Sequence, residues 1–187
     1  MAKARPIDGL TEDDPYALAG ARIVAVRASE LSDHAAGVLD VSDIERVHDM
    51  RVATRRLRAA LEVFEPCFPP KRFKAALREV KALADALGER RDRDVTIAAL
   101  EDFATAMGQA DRPGIESLIG ELRIEQAEAN EALGPFVTEQ RLDALRGRLA
   151  DVIADAAPSA ADAATKAPAM ELAARPTTNG AGEDNEG

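Results

Sequence analysis

Four side chains with phosphate-binding chemistry share one face of the segment VHDMRVATRRLRAAL, residues 47–61. They recur at intervals of three or four residues, so in an α-helix they fall within an arc of about 80°. Guanidinium groups present forked donors that match phosphate oxygens. The pattern therefore predicts an anion-binding stripe, although the protein has a formal net charge of −10. The four are His48, Arg51, Arg55 and Arg58.

Simpler explanations of this stripe stay open. Arginines on the flank of a helix are commonly solvated, and a single helical histidine more often packs than reacts. Like charges three and four residues apart repel one another, however, so the stripe costs stability unless an anion compensates it.

A second basic stripe follows in the next predicted helix. Lys71, Lys74, Arg78 and Lys81 have the same spacing, and apolar residues from Phe73 to Leu87 lie beside them. A short proline-rich turn separates the two helices, which predicts that they pack antiparallel with their apolar faces together. The two stripes would then border one basic groove.

The elements that must position these side chains are helices. Six aromatic residues and no alternating runs of β-branched residues argue against strands, whereas abundant Ala, Leu, Arg and Glu favour helix. The expected fold is all-α, a single antiparallel bundle of five to six helices. Their expected ranges are 15 to about 36, 42 to 65, 71–87, 95–107, 113–133 and from 136 to beyond 153.

Three signals set these boundaries. Ser42 and Glu45 read as a capping box, Gly88 as the end of the third helix, and Asp94 as the cap of the fourth. Composition divides the chain into a flexible N-terminus (1–10), a helical bundle (11–156) and a disordered Ala/Pro/Gly/acidic tail (157–187).

Several function classes are disfavoured. Residues 43–94 hold 13 Lys and Arg against 10 Asp and Glu, so the basic character is local and a general nucleic-acid binder is not expected. The single Cys67 excludes an internal disulfide, zinc-ligand spacing is missing, and no phosphate-binding loop of the Gly-x4-Gly-Lys type occurs. No apolar stretch approaches membrane-spanning length. We expect a cytoplasmic protein without catalytic residues, cofactor or metal.

Two motifs resemble the CHAD family, the conserved histidine α-helical domain. VHDMRVATRRLRAALEVFEP is similar to its signature helix, and VKALADALGERRDRDV to its next element. The resemblance implies helical bundles around a basic cavity and the binding of inorganic polyphosphate. It implicates as anion ligands the residues His48, Arg51, Arg55, Arg58, Lys81 and Arg91. It implies that Asp92 orients an arginine, whereas Lys74 and Arg78 are candidates from the stripe alone.

The resemblance covers residues 10 to 155, which corresponds to one of the family's two bundles. It therefore suggests either a homodimer that completes the cavity or a reduced remnant that binds weakly, and association with polyphosphate granules. Two other readings stay open. His48 could be the phosphoryl acceptor of a histidine phosphotransfer domain, although the Lys-Gly pair expected after such a histidine is missing. Alternatively, the bundle could be a scaffold without a ligand.

Overall fold

A computed structural model describes residues 3–165, with side chains through residue 156. Throughout this part of the chain the regular structure is helical, which confirms the predicted all-α bundle. Single 3₁₀ turns at Glu65–Cys67 and Gly134–Phe136 precede the third and fifth helices. The α-helices are α1 (Tyr16–Asp33), α2 (Ile44–Val63), α3 (Pro70–Ala106), α4 (Arg112–Leu133) and α5 (Glu139–Thr165).

The core lies between α1, α2, α3 and α5. α1 packs against α2 and α5, α3 packs against α2 and α5, and α4 packs mainly against α3. The predicted apolar face of α2 is buried here, and so are Phe73, Val80 and Leu87 of α3. Burial of each such side chain contributes about 1.5–3 kcal/mol, so these two faces hold the α2–α3 pair together. The residues of the α2 face are Val47, Met50, Leu57, Leu61 and Phe64.

The predicted stop at Gly88 is wrong, because α3 continues through it to Ala106. Gly88 does not have the positive φ of a helix-ending glycine. Glycine inside a helix costs only about 1 kcal/mol relative to alanine. The burial of residues after Gly88 outweighs this cost, since Arg90, Asp94 and Ile97 recur at helical spacing and are all buried. Tertiary packing therefore outweighs the local signal.

The predicted capping box before α2 is also wrong. α2 begins at Ile44, and its N-cap residue Asp43 makes no side-chain capping hydrogen bond. The Ser42 hydroxyl and backbone N–H instead donate to Asp40 Oδ1, at 2.7 Å and 2.9 Å. Ser42 thus closes the preceding turn and leaves the first amides of the helix to other partners.

Contacts at the N-terminal end and helical structure at the C-terminal end extend past the predicted boundaries of the bundle. Near the N-terminus, the Arg5 backbone N–H donates to Glu30 Oε1 at 2.5 Å, and the Arg5 guanidinium pairs with Asp33. α5 runs to Thr165, so the predicted boundary at residue 157 falls within this helix. The rest of the predicted tail, residues 166–187, lies outside the described residues.

None of the helices within residues 3–165 combines the length and the apolar character needed to cross a bilayer.

Candidate anion-binding groove

Polar contacts at both ends fix the antiparallel register of α2 and α3. At the C-terminal end of α2, Lys81 Nζ lies 3.1 Å from Glu62 Oε1. At its N-terminal end, Arg91 Nη1 donates to the Ile44 carbonyl at 3.0 Å. The stretch of α3 from residue 81 to residue 91 therefore lies beside the middle of α2, and the long side chains at its two ends reach toward the two ends of α2.

A cleft of about 370 Å³ opens between these two contacts. One side consists of Arg51, Arg55 and Arg58, the arginine wall of α2, so the structure brings together three of the four residues of the predicted stripe. The opposite side belongs to α3. Its residues are Ala84, Asp85, Gly88, Glu89 and Asp92. We call this cleft the groove.

The arginines of the wall differ in their partners. Arg58 Nε donates to Glu62 Oε1 at 3.1 Å, and hydrogen bonds from Arg58 and then Lys81 hold the pKa of Glu62 below its ordinary value. Arg51 and Arg55 make no hydrogen bond or ion pair with any residue in the described range. Two guanidinium groups thus face the groove with all of their donors available.

The wall contributed by α3 is acidic, which the sequence analysis did not foresee. Asp85, Glu89 and Asp92, here called the acidic wall, continue the face of α3 that carries Lys81. The signal was present in the spacing, because Asp85 and Asp92 lie four and eleven residues after Lys81. It was missed because ending the helix at Gly88 removed Glu89 and Asp92 from that face.

Lys74 and Arg78 do not line the groove. They lie on the same side of α3 as Lys81. Arg78 is one turn and Lys74 is two turns closer to the N-terminus of the helix, and both are exposed. Because Lys81 already sits opposite Glu62, near the end of α2, these two residues lie beyond that end. They extend the basic surface away from the groove along α3.

His48 is half-buried one turn before Arg51, and it is not among the lining residues. It has two acidic neighbours on its own helix, Glu45 and Asp49. The ligand-type atoms of the three side chains all lie within 4.8 Å of one another. The predicted stripe therefore begins with a histidine set among carboxylates as well as arginines.

Arg91 is held at the N-terminal end of α2. Besides the Ile44 carbonyl it approaches Glu45 Oε1, at 3.4 Å, and its side chain is largely buried. These contacts orient Arg91 toward the start of α2, next to the His48 group, and away from the groove lining. Asp92, which was expected to orient an arginine, projects into the groove opposite the arginine wall.

A buried ion pair within α3 accepts a hydrogen bond from α4. Arg90 Nη2 lies 3.2 Å from Asp94 Oδ1, and both side chains are inaccessible to solvent. Gln126 of α4 donates to the same oxygen at 2.6 Å. Burial raises the pKa of Asp94, although Gln126 and Arg90 oppose this shift. Asp94 is therefore a packing residue within α3, and the prediction that it caps a helix is wrong.

Some basic residues elsewhere on the bundle form ion pairs between helices. On the opposite side of α3, Arg72 pairs with Asp155 at 2.9 Å, and Arg148 pairs with Glu79, both across the α3–α5 interface. These pairs contrast with Arg51 and Arg55, which make no ion pair with any described residue. The groove thus gathers two guanidinium groups that are not engaged in contacts between helices.

Comparison with known proteins adds one finding and one absence. No curated protein matches the chain. The family model described as CHAD domain matches residues 22–179, which begins later and ends later than the resemblance read from the motifs. This match spans most of the chain and includes all of α2, α3, α4 and α5, and the chain accordingly belongs to the CHAD domain family.

Proposed function

We propose that this protein binds inorganic polyphosphate, or a similar phosphate-rich polyanion, without chemically altering it. The observation that carries the proposal is the arginine wall, in which Arg51 and Arg55 face an open groove with unused donors. Membership of the CHAD family supports it, because that family is associated with polyphosphate binding in general.

The spacing of the wall favours a polymer over a single phosphoryl group. Arg51 and Arg58 are seven residues apart, which corresponds to roughly 10 Å along the helix axis. Several consecutive phosphoryl groups can contact such a row together. Lys81, Arg78 and Lys74 continue the basic surface at one end, and His48 and Arg91 lie at the other. A long chain could therefore extend beyond the groove at the Lys81 end, where the surface stays basic.

The alternative role of His48 as a phosphoryl acceptor gains no support from its surroundings. Glu45 and Asp49 place two negative charges beside the imidazole, and these would repel an incoming phosphoryl group. The same charges act against a polyanion at this position, so we assign His48 to the margin of the groove and not to its anion-binding wall.

A homodimer that completes the cavity is also part of the proposal. The part of α3 beyond the start of α2 exposes Val95 and Phe103, each at least half accessible, on the face that also carries the acidic wall. Light scattering with and without polyphosphate tests this, and a mass that doubles on addition of polyphosphate is the expected result.

Calorimetric titration with long-chain polyphosphate at low salt tests binding itself. Two charge-assisted contacts of about 1.5 kcal/mol each correspond to roughly 100-fold in affinity, which is the loss expected for the double variant Arg51→Ala/Arg55→Ala. Its log–log salt slope should also fall, by about 0.7–0.9 per lost contact if polyphosphate behaves like a nucleic acid.

The matched control is Arg123→Ala/Arg141→Ala, which removes the same charge from exposed sites on α4 and α5. Equal losses in the two double variants would mean that only net charge matters, and the groove would not be the binding site. Absence of any heat or retention with the wild-type protein at low salt would refute the proposed function.

A further inference from the structure

The groove has no net charge. Arg51, Arg55 and Arg58 on α2 face Asp85, Glu89 and Asp92 on α3, so three positive groups oppose three negative groups. A bare polyanion lying between the walls is attracted by one and repelled by the other. The ligand that matches such a groove carries positive charge as well as negative charge.

Two of the three carboxylates are available to a ligand. Glu89 is engaged, because Arg93 Nη1 donates to its Oε2 at 2.5 Å. Asp85 and Asp92 are exposed, and their carboxylates make no hydrogen bond or ion pair with any residue that the structure describes. They stand seven residues apart, the same separation as Arg51 and Arg58.

These carboxylates do not form a metal site of their own. Within residues 3–165, the group of three ligand-type side chains that lie within 4.8 Å of one another is the one around His48, and Asp85 and Asp92 are not part of it. Mg²⁺, however, rarely needs a complete protein cage. It keeps several waters and is usually held by one or two carboxylates together with the phosphate oxygens of a substrate.

Building on the function proposed above, we infer that the groove takes polyphosphate as its divalent-cation complex. Phosphate oxygens contact the arginine wall, and Mg²⁺ ions carried by the polymer bridge to Asp85 and Asp92. The cation then reverses the effect of the acidic wall, because a bound divalent ion is the largest local charge. In its absence the two aspartates oppose binding.

This inference predicts that Mg²⁺ raises the affinity for polyphosphate, which is the opposite of its usual effect. Divalent cations ordinarily weaken the binding of a polyanion to a basic surface, because they compete for its phosphates. Here millimolar Mg²⁺ should instead tighten binding of long-chain polyphosphate relative to EDTA at equal ionic strength. The expected gain is on the order of tenfold, equivalent to one charge-assisted contact.

The decisive variant is Asp85→Asn/Asp92→Asn, whose exposed amides are nearly isosteric with the carboxylates and whose helicity can be checked by circular dichroism. It should bind more tightly than wild type in EDTA and lose the gain from Mg²⁺. The control Asp102→Asn/Asp151→Asn removes two acidic charges from exposed positions outside the groove, and it should keep that gain.

The outcomes separate the two proposals. If the wild type binds polyphosphate equally well or less well in Mg²⁺ than in EDTA, or if the Asp85/Asp92 variant keeps the gain, the cation inference is wrong while polyphosphate binding stands. If polyphosphate binds in neither buffer, the proposed function itself fails.

Discussion

Removal of the Asp94 carboxylate should destabilise the bundle more than any surface substitution. Asp94→Ala leaves the Arg90 guanidinium fully buried, with its nearest counter-charge gone. Breaking a buried ion pair from one side typically costs about 3–5 kcal/mol, because the remaining charge stays desolvated. Since domains of this size are stable by only about 5–15 kcal/mol, the loss is a large share of the total.

A double-mutant cycle isolates the pair from its surroundings. The cycle compares the single variants Arg90→Met and Asp94→Leu with the double variant. Each single substitution should cost about as much as Asp94→Ala, because each strands one buried charge. Replacing both, as Arg90→Met/Asp94→Leu, should be close to neutral or stabilising by about 1–4 kcal/mol, since apolar side chains of similar volume carry no desolvation penalty. The coupling energy between the two positions is thus the quantity to measure.

Urea unfolding followed by circular dichroism at the helix minimum is the appropriate assay, because the chain has no tryptophan and a single tyrosine. An Asp94→Ala variant whose midpoint equals that of the wild type would refute the reasoning. So would a double variant that loses as much as the two single variants added together, because no coupling would then exist between the two side chains.

Two further predictions concern single residues. Gly88→Ala should stabilise the protein by about 0.5–1 kcal/mol, because the residue lies inside α3 and its new Cβ would lie 3.8 Å from Arg51 Nε, an ordinary contact. Gly37→Ala is the matched control and should destabilise in the same urea assay, since Gly37 has a φ of +72° and its Cβ would lie 2.6 Å from Arg46 Nη1. A loss of stability in Gly88→Ala would instead support a helix end at this position. Buried Glu30 is disfavoured as a charge by desolvation, but hydrogen bonds from two arginines outweigh this and lower its pKa below the ordinary 4.5. A lowered pKa stabilises the fold above that value, so the difference in unfolding free energy between wild type and Glu30→Gln should shrink as the pH falls below 4.5; a constant difference would mean that the ionisation of Glu30 is not involved.

The parts of the fold that could be predicted are those that depend on residues close together in the chain. Helical spacing identified the buried face of α2 and the row from Arg51 to Arg58. The helix end at Gly88 was mispredicted, because the cost of a glycine inside a helix can be read from the sequence, whereas the packing that offsets this cost cannot. That compensation comes from Arg90, Asp94 and Ile97, whose burial depends on long-range packing of α4 against α3.

Only the α2 side of the groove could be predicted from the sequence. Spacing shows which residues of a helix share a face, but it does not show which residues of the next helix stand opposite. The register of α2 and α3 follows from Lys81 with Glu62 and from Arg91 with Ile44, both side-chain contacts between helices. A shift of about three turns would have placed Lys74 and Arg78 where Asp85 and Glu89 stand, opposite the arginine wall, as the spacing of the two stripes predicted.

The packing of α1 against α5 has a consequence for synthesis on the ribosome. Val24 and Leu31 of α1 are buried in the finished bundle. α1 also packs against α2, but its other neighbour, α5, is completed about 130 residues after α1 ends, which at about 5–20 residues per second takes roughly 7–26 s. Throughout that interval the part of the α1 surface that packs against α5 stays uncovered on the nascent chain. We therefore expect the solubility of the chain during translation to depend on how soon α5 emerges.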